Sequence, residues 1–289
     1  MFNLHLESSK HPDRYRQLVC GESLMSVYNC PLENKFEDLW SEHNYIVYVI
    51  EGKKIWHTAH GSYDLTKGKC VFVRKGACIV EQFFDVRFCL VLFFLPDAFI
   101  AEILKTKTSP LYKTSESFNP IIQIDSNTAL HTFFNSMMPH FDASKKPDAS
   151  LLDLKFRELI LTLADNPANK ELLSYFNTLM QNPQAISLKT IMEENFRFNL
   201  KLEEFAKLSA KSLSAFKRDF EKTYQTSPGK WLLEKRLQLA HQLLSTLSKT
   251  VGEVAFESGF ENISHFSRAF RKRFGVSPTT LKNEKVLMN

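Results

Sequence analysis

The feature that most limits the possible folds is a sequence pattern that occurs twice, fifty residues apart. The segment FKRDFEKTYQTSPGKWL begins at Phe216, and FSRAFRKRFGVSPTTLK begins at Phe266. The corresponding positions are Phe216 and Phe266, Arg218 and Arg268, Phe220 and Phe270, Lys222 and Lys272, Tyr224 and Phe274, Ser227 and Ser277, and Pro228 and Pro278. Because two copies are too few for a solenoid, the pattern indicates a duplicated supersecondary motif.

Each copy predicts a short helix, a tight turn and a longer helix. The short helices are LEEFAKLS at 202–209 and VGEVAFES at 251–258, and the turns are AKS and GFEN. Thr250 and Glu253 have the spacing of a capping box at the start of the second short helix. A helix, a sharp turn and a second helix are the signature of a helix-turn-helix motif.

A long helix is predicted between the two motifs. Ser227 is its expected N-cap, and Pro228 occupies the first helical position. Its apolar residues are expected along one side, at Leu233, Leu237, Ala240, Leu244 and Leu247. One packed helix would thus hold the two motifs at a fixed distance.

The second helix of such a motif enters the major groove of DNA. With the repeated phenylalanines facing the core, the outward side chains predicted to contact bases are Ser214, Lys217, Arg218, Ser264, His265, Ser267 and Arg268. These side-chain types can bond to base edges, and Arg does so best at guanine. The predicted phosphate contacts are Lys222, Lys230, Arg271, Lys272 and Arg273. For any one of these charges alone, a solvated helix face is the alternative, but the recurrence of Arg at one step of both motifs favours DNA.

The charge of the chain is unevenly distributed. From residue 185 onward there are 18 Lys and Arg against 11 Asp and Glu, whereas residues 1–184 hold 19 against 21. A basic last third after a slightly acidic first part indicates that a polyanion meets the C-terminal end, with solvated surface charge as the alternative. Together with the two motifs, the expected partner is double-stranded DNA.

The first part of the chain is predicted to be rich in strands and then helical. Between residues 45 and 95, apolar segments separated by glycines about eight residues apart predict a small antiparallel barrel or sandwich. Residues 105–120 predict a loop, and LLDLKFRELILTLA at 151–164 predicts an amphipathic helix, followed by a second helix through 170–180. QNPQ at 181–184 is the expected linker. The fold class is therefore α+β with two domains, 1–182 and 185–283.

One stretch, VGEVAFESGFENISHFSRAFRKRFGVSP, resembles the signature of the AraC/XylS family of transcriptional regulators. The matching positions are Ala255, Gly259, Phe260, Ser264, Phe266, Arg268, Phe270, Phe274, Gly275, Ser277 and Pro278. The resemblance covers about residues 185–280. It implies a seven-helix DNA-binding domain whose two motifs read successive major-groove segments on one face of the duplex. It also implies the same seven base-contacting residues named above. Ala210 replaces the glycine common in the family's first turn, and it is expected to be strained by roughly 1 kcal/mol if the backbone φ is positive there.

The N-terminal half resembles the family more loosely. HNYIVYVIEGKKIW and GSYDLTKGKCVFVRKG are similar to the cupin-type sensing β-barrel of many members. The resemblance implies a helical dimerisation segment at about 150–182. It also implies a small-molecule or protein effector, RNA polymerase as a partner, a homodimer, and control of transcription, by activation or repression, with activator as the expected role. The cytoplasm is the expected location, because the first residues do not resemble a signal peptide. The alternative for the helix at 151–164 is that it packs only on its own barrel.

A metal-cupin enzyme with a nucleic-acid-binding tail is the competing class. His43, His57 and His60 are its candidate ligands, but His57 and His60 would face opposite sides of a strand, and residues 61–130 contain no His. We therefore expect no metal, no cofactor and no catalytic residue. The phenylalanines at 83, 84, 88, 93 and 94 would line a ligand pocket in a hollow barrel, or form core in a filled one.

The sequence disfavours several other classes of protein: those built on disulfides or a zinc-thiolate site, repair methyltransferases, and membrane or secreted proteins. The five cysteines form no Cys-x-x-Cys pair, so neither a disulfide framework nor a zinc-thiolate site is expected, and none lies in a Pro-Cys-His setting typical of a repair methyltransferase. The longest apolar run, at 88–95, is too short to cross a membrane, and the first residues do not resemble a signal peptide.

Overall fold

The chain divides into two compact units, residues 1–187 and 188–289. The computed structural model describes residues 1–12, 15–28, 34–84, 88–111, 115, 117–142, 146–181, 187–245 and 249–286. Residues 182–184 of the expected linker, and Cys30, lie outside these ranges. The domain limits at 182 and 185 remain predictions.

Two separate sheets form the first part of the N-terminal unit. The strands are β1 (Phe2–Asn3), β2 (Arg16–Cys20), β3 (Ser23–Tyr28), β4 (Phe36–Ser41), β5 (Asn44–Glu51), β6 (Lys53–Thr58), β7 (Gly61–Thr66), β8 (Cys70–Val73), β9 (Gly76–Gln82), β10 (Cys89–Leu95) and β11 (Ile121–Ile124). One sheet has the order β1-β4-β9-β6-β7 and the other β11-β8-β5-β10-β3-β2. Of the strand pairs in the described segments, only β1 with β4 is parallel.

The expected closed barrel is corrected by this topology. Among the described strands, β1 and β7 remain edges of one sheet, and β2 and β11 remain edges of the other. A barrel requires the first and last strands of a sheet to pair with each other. The sheet-rich unit is thus two sheets packed around a core rather than a closed cylinder.

The six-stranded sheet is buried on both faces. Phe93 of β10 lies in a core shared with the helices, whereas the next residue, Phe94, lies in a core with residues of the five-stranded sheet. This explains why β10 is apolar at every position, since successive side chains of a strand point to opposite faces. Phe84, which the hollow-barrel alternative placed at a pocket, is 66% exposed.

The described residues of the N-terminal unit also form five helices: α1 (Leu4–Lys10), α2 (Asp97–Lys105), α3 (Thr128–Asp142), α4 (Ala149–Asp165) and α5 (Lys170–Gln181). The predicted apolar face of α4 is confirmed, because Leu152, Phe156, Leu159, Ile160 and Leu163 are all buried. Helix α5 agrees with the second predicted helix, and the described residues between α2 and β11 form neither helix nor strand. Helices α1, α2 and α3 were not predicted.

The C-terminal unit contains seven helices among its described residues, as the family resemblance implies. They are α6 (Leu188–Asn195), α7 (Leu202–Leu208), α8 (Leu213–Tyr224), α9 (Pro228–Leu243), α10 (Val251–Glu257), α11 (Ile263–Phe274) and α12 (Pro278–Val286). Helices α7 and α8 form the first motif, and α10 and α11 form the second.

The repeated phenylalanines hold both motifs together. Phe216, Phe220, Phe266 and Phe270 have no exposed surface. Burying a phenylalanine side chain contributes about 1.5–3 kcal/mol, so these four residues together contribute roughly 6–12 kcal/mol of hydrophobic free energy, before the entropy cost of folding is subtracted.

The predicted apolar face of α9 is partly wrong. Leu232 is buried, whereas Leu233 is more than one-third exposed, and Leu247 lies outside the described residues. Leu237, Ala240 and Leu244 are buried as predicted. The error at the first turn is one residue, which is a rotation of about 100° around the helix axis.

Candidate nucleic-acid interface

The turns of the two motifs have the same backbone geometry. The short helix ends with a left-handed residue in each, Ala210 at φ 52° and Gly259 at φ 87°. In the first motif the Lys211 N–H donates to the Ala206 carbonyl over 2.9 Å, and in the second the Phe260 N–H donates to the Ala255 carbonyl over 3.0 Å. These bonds, with a further one from each left-handed residue, form a Schellman motif. The expectation of positive φ at Ala210 is confirmed.

The recognition helices α8 and α11 begin with side-chain caps. The Ser212 hydroxyl accepts from the Ala215 N–H over 3.3 Å, and the Asn262 carboxamide accepts from the N–H groups of Ser264 and His265 over 2.8 and 3.0 Å. Caps satisfy backbone donors that would otherwise lack partners at a helix start. They fix the first turn of each helix, which is the part that reaches base edges in such motifs.

The second motif also carries the predicted capping box. The Thr250 hydroxyl accepts from the Glu253 N–H over 3.2 Å, and the Glu253 carboxylate accepts from the Thr250 N–H over 2.6 Å. This arrangement sets the start of α10, and α10 in turn packs on α11. The box therefore contributes to the position of the recognition helix.

Six of the seven residues predicted to contact bases are exposed, and Ser267 is half-buried. The Arg218 side chain is 78% exposed, and its one ion pair with another described residue is a long one, at 3.7 Å, with Asp219. Within the part of the chain that the structure describes, Lys217 and Arg268 make no hydrogen bond or ion pair. These two long cationic side chains are thus available to a ligand.

The predicted phosphate-contacting residues fall into two groups. Lys222, Lys230, Arg271 and Lys272 are exposed. Arg273 instead forms a forked pair with Glu234 of α9, with Nε 2.8 Å from one carboxylate oxygen and Nη2 2.8 Å from the other. These bonds lower the pKa of Glu234 below its usual range, because they favour the charged carboxylate. Arg273 ties the end of α11 to α9, a role that sequence reasoning missed.

Three consecutive charged residues of α9 connect it to the rest of the unit. Beside Glu234, the Lys235 ammonium lies 2.7 Å from the Glu193 carboxylate of α6. The Arg236 guanidinium donates to the carbonyls of Phe196 and Phe198 over 2.7 and 2.8 Å. Helix α9 is therefore held through polar side chains to both α6 and α11, not only through its apolar face.

The turn of the second motif also packs against Arg236. A Cβ atom added at Gly259 would lie 2.9 Å from Arg236 Nε and 2.7 Å from the carbonyl oxygen of Arg197. Both distances are shorter than van der Waals contact, so only glycine fits. One guanidinium group thus contacts the segment before α7 and the turn before α11, which fixes the second motif against the start of the first.

The histidines considered as enzyme ligands do not assemble as that alternative required. His57 bonds to Glu81 at 3.0 Å and to Ser62 at 2.7 Å. Among the described residues, no group of three metal-ligating side chains includes His57 or His60. The four described cysteines, Cys20, Cys70, Cys78 and Cys89, are free thiols. In the described part of the chain, no helix combines the length and apolar character needed to span a bilayer.

Comparison with known proteins supplies independent evidence on both units. A family profile described as the ExsA N-terminal regulatory domain matches residues 44–175, and one described as a helix-turn-helix domain matches residues 205–284. The chain is similar to the virulence regulon transcriptional activator VirF of Yersinia enterocolitica, at 28% identity over 241 residues, which cover 82% of this chain and 88% of the relative.

Two further similarities extend over most of the chain. The HTH-type transcriptional regulator ExsA of Pseudomonas aeruginosa is 27% identical over 243 residues, which cover 83% of this chain and 86% of the relative. The structure of unsaturated fatty acid-bound ToxT from Vibrio cholerae covers 90% of this chain and 94% of its own, at 12% identity and a TM-score of 0.40. That structural similarity is too low to support a conclusion about this chain.

Proposed function

The chain belongs to the AraC/XylS family of DNA-binding transcriptional activators, and from this membership we propose that α8 and α11 read two successive major-groove segments of double-stranded DNA. It is a regulator and not an enzyme, and the comparisons give no support to the metal-cupin alternative. The observation that carries the proposal is the repetition of one geometry. Both motifs place a capped recognition helix after a Schellman turn, with an exposed arginine at the same step.

We assign base contacts to Arg218 and Arg268 above all. Arg268 has no intramolecular partner among the described residues, and Arg218 has only its long pair with Asp219. Either guanidinium can therefore form two hydrogen bonds to a guanine without breaking a strong internal interaction. Lys217 and His265 lie on the same exposed faces and add contacts of lower directionality.

Phosphate contacts are assigned to Lys222, Lys230, Arg271 and Lys272. They lie at the ends of the recognition helices or just beyond them, where side chains position a protein on the duplex without reading its sequence. Arg273 joins this group only if its pair with Glu234 opens. While that pair is closed, its contribution is to hold α11 in place.

The N-terminal unit is proposed to control DNA binding in response to an effector or a partner protein. Support comes from the match of residues 44–175 to a regulatory-domain profile. We further propose that the protein acts in the cytoplasm as a homodimer that contacts RNA polymerase. Helix α4 supports the dimer, because Leu151 and Leu154 are exposed on the side opposite its buried face, and Leu154 is 62% exposed.

The base-reading assignment is tested by Arg268→Ala. Its affinity for a selected target duplex is expected to fall by about 1–3 kcal/mol, which is roughly 5- to 150-fold, with relaxed preference at one base pair. Affinity for a scrambled duplex changes much less. Lys189→Ala, which removes an exposed charge of α6 outside both predicted sets, is the matched control. An unchanged ratio of specific to scrambled affinity in Arg268→Ala would refute the assignment.

A further inference from the structure

A cluster of three metal-ligating side chains lies in the N-terminal unit, away from the DNA-binding motifs. We call His5, Glu42 and His43 the His-Glu-His cluster. His5 lies on α1, and the other two residues form the turn between β4 and β5. Their ligand atoms all lie within 4.8 Å of one another, and all three residues are half-buried. His5 Nδ1 is 3.7 Å from a Glu42 carboxylate oxygen.

The imidazole rings already have the separation of two ligands on one ion. The ring centres of His5 and His43 are 4.5 Å apart, with the planes 80° from parallel. Two imidazoles bound to one zinc ion at about 2.0–2.1 Å have ring centres roughly 4.5–5.2 Å apart when the ligand angle is about 90–110°. Ligand atoms of a tetrahedral zinc site lie about 3.3 Å apart. Closing the cluster on an ion therefore requires the ligand atoms, which now lie within 4.8 Å of one another, to approach by up to about 1.5 Å.

The backbone that carries the three ligands is fixed by hydrogen bonds from neighbouring side chains. The Asn3 carboxamide accepts from the Leu6 N–H over 2.8 Å, which caps α1, and its NH₂ group donates to Glu42. The same asparagine thus orients both the helix that carries His5 and the carboxylate. Outer-shell bonds of this kind orient first-shell ligands in natural metal sites.

The turn itself is held by Ser41. Its hydroxyl donates to the His43 carbonyl over 2.8 Å and accepts from the His43 N–H over 3.1 Å. The pairing of β1 with β4, which places Asn3 opposite Trp40, joins the two ligand-bearing segments directly. The cluster is consequently built on paired strands, although its ligands are 37 residues apart in sequence.

The ligand set selects the class of metal. Two imidazoles and one carboxylate, with no thiolate, suit divalent transition metals such as Zn²⁺ and Fe²⁺. Zn²⁺ would take the three groups as three positions of its tetrahedron. Mg²⁺ and Ca²⁺ prefer oxygen ligands only and are poorly matched. Three protein ligands leave one position for water.

We propose that His5, Glu42 and His43 bind one Zn²⁺ ion, which fastens α1 to the turn between β4 and β5. The proposal assigns no catalytic step to the ion. It differs from the expectation of no metal because that expectation considered His43 with His57 and His60 on neighbouring strands. The ligand that completes the set, His5, is contributed by an N-terminal helix whose position is visible only in three dimensions.

The test uses the full chain, freed of metal with a chelator and titrated with ZnCl₂. One zinc per chain is expected by calorimetry and by elemental analysis after gel filtration. His43→Gln and His5→Gln are each expected to weaken binding on the order of 100-fold or more. His60→Gln, which changes an exposed histidine outside the cluster, is the matched control and is expected to retain wild-type affinity. MgCl₂ in place of ZnCl₂ is expected to give no binding.

A second measurement requires no variant. Amide hydrogen exchange of residues 4–10 in the wild-type chain is expected to slow when one equivalent of zinc is present, because opening of α1 would then require loss of a ligand. Absence of stoichiometric zinc overturns the proposal. So does zinc binding that is equal in wild type, His5→Gln and His43→Gln, or unchanged exchange in α1 when zinc is bound.

Discussion

Replacing Ala210 with glycine is expected to stabilise the C-terminal unit, although it removes a methyl group. Ala210 closes the Schellman turn of the first motif at φ 52°. An L-residue with a Cβ in the left-handed region costs about 1–2 kcal/mol. Glycine removes that cost, but its greater conformational freedom stabilises the unfolded chain by about 0.4–1 kcal/mol. The difference between these ranges is 0 to about 1.6 kcal/mol, with a central value of about 0.5–1 kcal/mol of net stabilisation.

The equivalent position of the second motif supplies the matched control. Gly259→Ala introduces the same left-handed cost and also places a Cβ 2.7 Å from a backbone carbonyl oxygen. Since overpacking adds about 1–3 kcal/mol, a net loss of about 2–4 kcal/mol is expected. The opposite signs follow from the shared left-handed backbone, because the two substitutions are the reverse of each other. The larger magnitude at Gly259 is the specific consequence of a turn that has no room for a Cβ.

The assay is differential scanning calorimetry of the full chain. The transition of the C-terminal unit is identified as the one that target DNA raises, because a ligand that binds only the folded state stabilises it. For a unit of this size, 0.5–1 kcal/mol corresponds to a rise of roughly 2–8 °C for Ala210→Gly. A lowered transition in Ala210→Gly, or an unchanged one in Gly259→Ala, would show that the argument from backbone geometry is wrong.

Three other predictions follow from the contacts around the recognition helices. Thr250→Ala is expected to lower the unfolding free energy of the same unit by about 1 kcal/mol in urea titrations, because it removes the N-cap of α10. An unchanged unfolding free energy would show that this cap does not stabilise the unit. Lys272→Ala is expected to reduce the slope of log affinity against log salt by about one, and an unchanged slope would exclude a phosphate contact. Arg273 holds the pKa of the Glu234 carboxyl below its usual range. The pair therefore stabilises the folded unit fully above the unfolded carboxyl pKa of about 4.3, and this stabilisation is lost as the pH falls through the lower pKa of the folded state. Glu234→Gln is therefore expected to weaken the dependence of unfolding temperature on pH in that acid range, and an identical pH profile would contradict the prediction.

Sequence reasoning succeeded where the determinants are local. The predicted start of α9 at Pro228, the capping box at Thr250 and the inward phenylalanines of both motifs all depend on residues within a few positions of each other. Each is present in the structure. Caps, helix periodicity and turn residues act over one or two helical turns, so a single sequence contains the information needed to recognise them.

It failed where the structure depends on distant pairing. Strand β10 lies between β5 and β3, an order that no local pattern specifies. The strand pattern allowed a barrel or a sandwich, and the barrel that the family resemblance favoured is wrong. Helix α3 contains Pro139, which usually ends a helix, and was not predicted. In the candidate site, the side chains predicted to contact bases follow from helix phase alone, whereas the pairing of Arg273 with Glu234 joins residues 39 positions apart and required the structure.

The central claim is that one chain reads two neighbouring segments of DNA with two motifs of the same geometry. The most direct test is selection of fragments from a genomic library by the purified full chain, at physiological salt and with nonspecific competitor DNA. Readout by both recognition helices predicts a small set of enriched sites, each containing two short DNA sequence elements about ten base pairs apart. This spacing is expected because successive major-groove segments on one face of the duplex are one helical turn apart. Uniform, salt-sensitive retention of every fragment would contradict it, because binding would then come from phosphate contacts alone.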